Sequence, residues 1–124
     1  MGSFYTTAAL LNPLDRVRRI EVAHVLIDTG SECTWIRRNL LEDIGLRPEN
    51  KSKSFHVADG RAITRPICFA IIEVEGEATI DEVVMAEPGD LQLLGARTLE
   101  GLNLRVDPIR KCLMNAGPAP AACA

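Results

Sequence analysis

The sequence predicts a mainly β fold, a barrel or sandwich of short strands with one or two short helices. Three observations point that way. Short apolar runs recur between Gly, Pro, Asn and Asp turn signals along most of the chain. Two hairpin signals, Asp59-Gly60 and Glu75-Gly76-Glu77, stand between arms of strand composition. Only Asn39–Ile44 has helical spacing of any length, with Leu40, Leu41 and Ile44 on one face.

Taken in order, Ser3–Leu11 is rich in β-branched and aromatic residues and reads as the first strand. Asn12-Pro13-Leu14-Asp15 turns the chain. Arg18–Val22 begins a second strand that runs into Val25-Leu26-Ile27 and stops at Asp28. Thr34-Trp35-Ile36 is a third strand, and the helix after it stops at Gly45. Lys51–Lys53 reads as polar loop. Phe55–Ala58 and Arg61–Thr64 flank Asp59-Gly60, and such a two-residue turn asks both central residues for positive φ. Ile67–Val74 and Ala78–Met85 form the second hairpin. Leu91–Leu94 is a last core strand before Gly95, and Thr98–Leu102 a short helix. Arg105–Asp107 and Ile109–Met114 close the fold. Residues 1–114 are expected to form one domain. Residues 115–124, largely Gly, Pro and Ala without charge, are expected to be a disordered tail.

Composition narrows the function classes. At 124 residues one domain is expected, and a hydrophobic content of 47% is enough for a packed core. Aromatics at 4% make that core aliphatic. A net charge of −3, with both signs interspersed, argues against nucleic acid as a partner. Arg16, Arg18 and Arg19 read as a solvated hairpin. No apolar run approaches the ~20 residues of a spanning helix, so no membrane is expected. Cys33, Cys68, Cys112 and Cys123 form no Cys-x-x-Cys pair, and His24 and His56 are equally scattered. No metal or cofactor is expected, the thiols are expected to be free, and the cytoplasm is the expected compartment.

The segment with most chemical content is Asp28-Thr29-Gly30. It follows the apolar run Val25-Leu26-Ile27 and precedes Ser31. An acid, a hydroxyl and a glycine at the end of a core strand put a carboxylate on a tight turn, where it can act on a substrate. A second element, Leu93-Leu94-Gly95, has the same apolar–apolar–Gly form. With these two, Ala58-Asp59-Gly60-Arg61, Thr98-Leu99-Glu100 and Val106-Asp107-Pro108 complete an ordered set. In that order and spacing, over roughly residues 4–113, the chain resembles the retropepsin-like single-domain aspartic proteases, especially their bacterial members.

The resemblance implies a retropepsin-like closed β barrel and an aspartic endopeptidase acting on a peptide or protein substrate. Such proteins supply one catalytic Asp per chain and pair as homodimers. Asp28, Thr29 and Gly30 would be the catalytic loop, with two Asp28 carboxyls sharing a proton. Thr29 would hydrogen-bond across the dimer axis, and Gly95 would pack beneath the loop. Ala58, Asp59 and Gly60 would be the tip of a flap over the substrate, and Trp35 and Leu93 would line its pockets. Retroviral members carry an Arg directly after the second glycine, bracing an acid beyond the catalytic loop. Ala96 holds that place here and Arg97 follows, while Glu32 stands at the acid's place, which leaves a shifted Glu32–Arg97 pair open. Trp35 is bulkier than the small aliphatic residues of the family, which leaves open a rival of another class, a catalytically silent dimer that binds peptides or a protein partner. A purely structural β domain within an assembly is a third option.

Overall fold

A computed structural model describes residues 4–123, so the expected strand start at Ser3 lies outside them. Among the described residues the chain forms nine strands and two short helices. β1 (Tyr5–Asn12) and β2 (Asp15–Ile27) make the first hairpin. Asn12 fixes its turn. Its Oδ1 accepts the Leu14 N–H at 2.9 Å, and its Nδ2 donates to the Ile44 carbonyl at 2.9 Å. The pairing steps from Thr6↔Val25 to Ala8↔Val22, and His24 takes a φ of 57° at that bulge. The bulge resets the alternation, so that Val22, Val25 and Ile27 all enter the core.

β3 (Thr34–Arg37) leads into α1 (Arg38–Asp43), and β4 (Ser52–His56) into β5 (Ala62–Val74). β6 (Glu77–Ala86), β7 (Leu93–Leu94), α2 (Ala96–Gly101), β8 (Leu104–Asp107) and β9 (Cys112–Asn115) follow. The large sheet runs β1-β2-β7-β3-β6-β5-β4, and β1 also pairs with β5. That extra pairing closes the ring and leaves β4 as an arm standing off β5. The mainly β fold expected from the sequence is thus present, with two short helices. β8 and β9 form a separate ribbon.

The ring encloses Leu10, Val25, Ile36, Ile72, Met85 and Leu94, joined by Leu41 of α1 and Leu99 of α2. These are aliphatic or Met, as so low an aromatic content requires. Each buried Leu, Ile or Val stabilises the fold by roughly 1.5–3 kcal/mol.

Several boundaries differ from the sequence expectation, among them that of the tail expected from residue 115, since Asn115 belongs to β9 and pairs with Leu104. Ser52 and Lys53, expected as loop, belong to β4, whose register partners are Pro66 and Arg65. Arg61–Thr64 and Ile67–Val74, expected as two strands, are largely one strand, β5. Pro66 does not break it, because its missing N–H falls where β5 leaves β4 and takes up β6. Leu91 is 65% exposed and outside β7, since Glu87–Asp90 turns just before it. Ile109 lies in a turn in which Asp107 Oδ1 accepts the N–H groups of Ile109 and Arg110, at 3.0 and 3.1 Å, so the closing strand starts only at Cys112.

Candidate active site

β2 and β7 run parallel, with Ile27 beside Leu94. Their pairing carries the chain to Asp28, whose N–H donates to the Leu94 carbonyl at 3.0 Å. The chain then turns, and the Ser31 N–H donates back to the Asp28 carbonyl at 3.2 Å. Asp28 is half-buried, while Thr29 and Gly30 are exposed. The Gly30 N–H donates to Asp28 Oδ1 at 3.0 Å. A Cβ at position 30 would stand 3.2 Å from that same oxygen, so glycine leaves the contact room. Oδ2 makes no hydrogen bond within the described residues. One carboxylate oxygen is held and the other is available.

Gly95 is buried beneath this loop. A Cβ there would lie 2.6 Å from the Cys33 carbonyl carbon and 2.7 Å from the Glu32 carbonyl oxygen. Its backbone, at φ −92° and ψ 176°, suits any residue. Lack of space, not conformation, requires glycine, and this is the close packing the resemblance implied. α2 holds the loop from the same side. Its Ala96 N–H donates to the Ser31 carbonyl at 2.7 Å, and its Arg97 N–H to the Glu32 carbonyl at 3.2 Å.

A buried relay underlies these contacts. The Gly95 N–H donates to Thr34 Oγ1 at 3.0 Å, Thr34 Oγ1 and Thr98 Oγ1 are 2.5 Å apart, and Thr98 Oγ1 donates to Asp81 Oδ2 at 3.0 Å. A carboxylate only accepts, so Thr98 gives its proton to Asp81 and Thr34 gives its own to Thr98. Both hydroxyls are fully buried and both are satisfied.

Arg97 does not pair with the Glu32 carboxylate. Its guanidinium reaches Asp81 at 3.5 Å and Glu82 at 3.3 Å on β6 instead. One residue further along a helix rotates a side chain by roughly 100°, which points position 97 away from the loop. Glu82 is nearly buried and also meets Lys51 and Lys53, the latter at 3.3 Å. The hydrogen bond from Lys51, with that from Lys53, holds its carboxyl down at about 2. Sequence reasoning missed Asp81 and Glu82. Their signal was an acidic pair in the middle of the apolar run Ala78–Met85.

A cavity of about 500 Å³ opens beside the loop, between Ser31, Glu32 and Cys33 on one wall and Lys53, Ser54 and Phe55 of β4 on the other. Trp35 lies behind it. Its ring is 4.7 Å from that of Phe55, tilted by 53°, and both pack on Cys33, Ile67 and Val84. Leu93 is buried and is the register partner of both Leu26 and Trp35. The structure therefore gathers Asp28, Thr29, Gly30, Trp35 and Leu93 at one end of the ring.

Ala58, Asp59 and Gly60 form the exposed tip of the β4–β5 hairpin, and no hydrogen bond joins them to the Asp28 loop among the described residues. The tip is not the two-residue turn expected. Gly60 alone of the pair has positive φ, at 90°. The turn closes through Gly60 N–H to the Val57 carbonyl and Val57 N–H to the Arg61 carbonyl, each at 2.9 Å. Asp59 Oδ1 accepts the Arg61 N–H at 2.9 Å and Oδ2 accepts its Nε at 2.7 Å, contacts that hold the Asp59 carboxyl below its usual range. No group of His, Cys, Asp and Glu among the described residues could hold a metal ion, and no helix there is long and apolar enough to cross a membrane.

An aspartyl protease family model matches residues 19–107. The chain belongs to that family. The matched segment runs from β2 through β8, so it takes in the Asp28 loop, the β4–β5 hairpin and Gly95 of this aspartyl protease. The fold is similar to the solution structure of simian foamy virus (mac) protease, with a TM-score of 0.52 and 16% identity over 78% of this chain and 92% of that one. That likeness makes the closed ring retropepsin-like. No curated protein matches the chain in sequence.

Proposed function

We propose that this aspartyl protease is an endopeptidase that works as a homodimer, with one Asp28 from each chain forming the catalytic dyad. The observation that carries the proposal is the Asp28 carboxylate, half-buried at the end of a core strand with Oδ1 fixed by the Gly30 N–H. The chain has no second Asp-Thr/Ser-Gly element to supply a partner acid, so the partner comes from a second copy. Two carboxyls at such a site share one proton and titrate as a unit. The ionised member activates a water that attacks the peptide carbonyl. The protonated member polarises the carbonyl oxygen and then helps protonate the leaving nitrogen. Exposed Thr29 lies beside the dyad, where it can bond across the axis. The β4–β5 hairpin, with Ala58, Asp59 and Gly60 at its tip, closes over an extended peptide as a flap. Trp35 and Leu93 shape the wall behind it. Four free thiols support the cytoplasm as the working compartment.

Trp35 packs sideways on Phe55 and does not line the 500 Å³ cavity, which favours the enzyme over the silent peptide binder. Incubation of the purified protein with an unfolded protein between about pH 4 and 7 tests the proposal. Cleavage by a species that sediments as a dimer is expected. A stable monomer without hydrolysis across that range contradicts it.

A further inference from the structure

Glu82 stands where three separate parts of the cleft meet. Lys53, on one side, belongs to β4 and lines the cavity facing Ser31–Cys33. Lys51, just ahead of β4, reaches the same carboxylate. Arg97, on the other side, belongs to α2, whose first N–H groups hold the Ser31 and Glu32 carbonyls. The adjacent residue, Asp81, takes both the Arg97 guanidinium and the end of the Thr34–Thr98 relay from Gly95. The Glu82 side chain is only 10% exposed and meets three cations. Removing its charge takes from Lys51 and Lys53 their only carboxylate partner among the described residues, while Arg97 keeps Asp81.

Apart from the packing of Phe55 on Trp35 and a contact from Lys53 Nζ to Cys33 Sγ at 3.6 Å, β4 is tied to the rest of the ring through this ion cluster. It pairs only with β5, and Lys53 is its one ion-pairing residue among those described. We propose that Glu82 is a positioning residue for peptide hydrolysis, which docks the β4 arm of the flap against α2 and so sets the width of the cleft beside Asp28. It touches neither substrate nor dyad. It acts through Lys53 on the cleft wall and through Arg97 on the support of the catalytic loop. Its carboxyl, held at about 2, stays charged throughout the working range of an acid-to-neutral protease. The proposal rests on the endopeptidase reading, so its test includes a readout that needs no hydrolysis.

Glu82→Gln keeps the shape and removes the charge, Glu82→Asp restores a charge at shorter reach, and Lys53→Met breaks the flap contact from the more exposed side. Hydrogen exchange over residues 52–61 should rise in Glu82→Gln and Lys53→Met and recover partly in Glu82→Asp. Exchange in the β1–β2 hairpin should stay unchanged. Steady-state cleavage of a long peptide should show KM raised about fivefold to tenfold in Glu82→Gln, with kcat within about twofold of wild type. Unchanged exchange over residues 52–61 in Lys53→Met overturns the docking role whether or not the protein cleaves peptides. A drop in kcat that only follows the fraction of unfolded protein, with KM unchanged, makes Glu82 merely structural and overturns it as well. Absence of hydrolysis in wild type, with the exchange pattern as expected, contradicts the endopeptidase reading and leaves the docking intact.

Discussion

Gly95→Ala adds one methyl at the most crowded point of the site. The new Cβ meets the backbone of Glu32 and Cys33, at 2.6 and 2.7 Å from two of its atoms and nearer still to the Cys33 carbonyl oxygen. No flexible side chain is there to swing aside, so the loop itself must move. Overpacking of this kind typically costs about 1–3 kcal/mol. Moving the loop also strains the bonds from Gly95 N–H to Thr34, Ala96 N–H to Ser31 and Arg97 N–H to Glu32, each worth roughly 0.5–1.5 kcal/mol. A loss of about 2–4 kcal/mol follows, or a fall in melting temperature on the order of 10 °C for a domain of this size. Asp28 rides on the same loop, and a misplacement of ~1 Å can remove ~10²-fold of activity. Gly76→Ala, in the β5–β6 hairpin away from the site, is the control. It has φ 82° but open space around it, so only a backbone penalty of roughly 1–2 kcal/mol applies. Thermal melts and peptide hydrolysis on both variants decide the matter. A Gly95→Ala protein that melts and cleaves like wild type would refute the close packing under the catalytic loop.

Trp35→Val should lower stability by about 1–3 kcal/mol, less than a fully buried aromatic truncation, because Trp35 is only partly buried. Trp35 does not line the cavity but supports Phe55, which does, so a shift of cleavage toward bulkier residues, read on a peptide library, should follow through Phe55; an unchanged profile with a large fall in melting temperature makes Trp35 core alone. The folded Glu82 carboxyl sits at about 2 against an ordinary 4.5, and Arg65 depresses that of Asp90 in the same direction. Groups depressed on folding stabilise above their ordinary value and lose that contribution as pH falls through the folded one. Urea titrations should therefore show stability falling from about pH 4.5 toward 2, with a shallower fall in Glu82→Gln; parallel curves contradict the ion cluster.

Much of the fold was legible because the apolar runs and turn residues agree with it. The place of the Asp28 loop was legible for the same reason, since the apolar run Val25–Ile27 ends at an acid followed by Thr29 and Gly30. What escaped was long-range or geometric. Arg61–Thr64 and Ile67–Val74 read as separate strands, yet Pro66 between them falls at the junction where β5 changes partners, which pairing alone reveals. The β2 bulge at His24 puts Val22 and Val25 on one face, against simple alternation. Arg97 had a plausible acid in Glu32, but the helical position of residue 97 turns it toward Asp81 and Glu82. Those two acids carry no local motif. They become part of the site only when β6, α2 and β4 meet.

The dyad is tested most directly by mixing chains. Asp28→Asn should fold and dimerise like wild type, because the side chain nearly keeps its shape, and should lose at least the ~10²–10⁴ that acid–base catalysis contributes. If each active site takes one Asp28 from each chain, co-refolding wild type with an equal amount of Asp28→Asn should leave about half the activity of the wild type refolded alone, and a large excess should abolish it. Activity that persists undiminished under excess Asp28→Asn, or full activity in pure Asp28→Asn, contradicts a catalytic site shared between two chains.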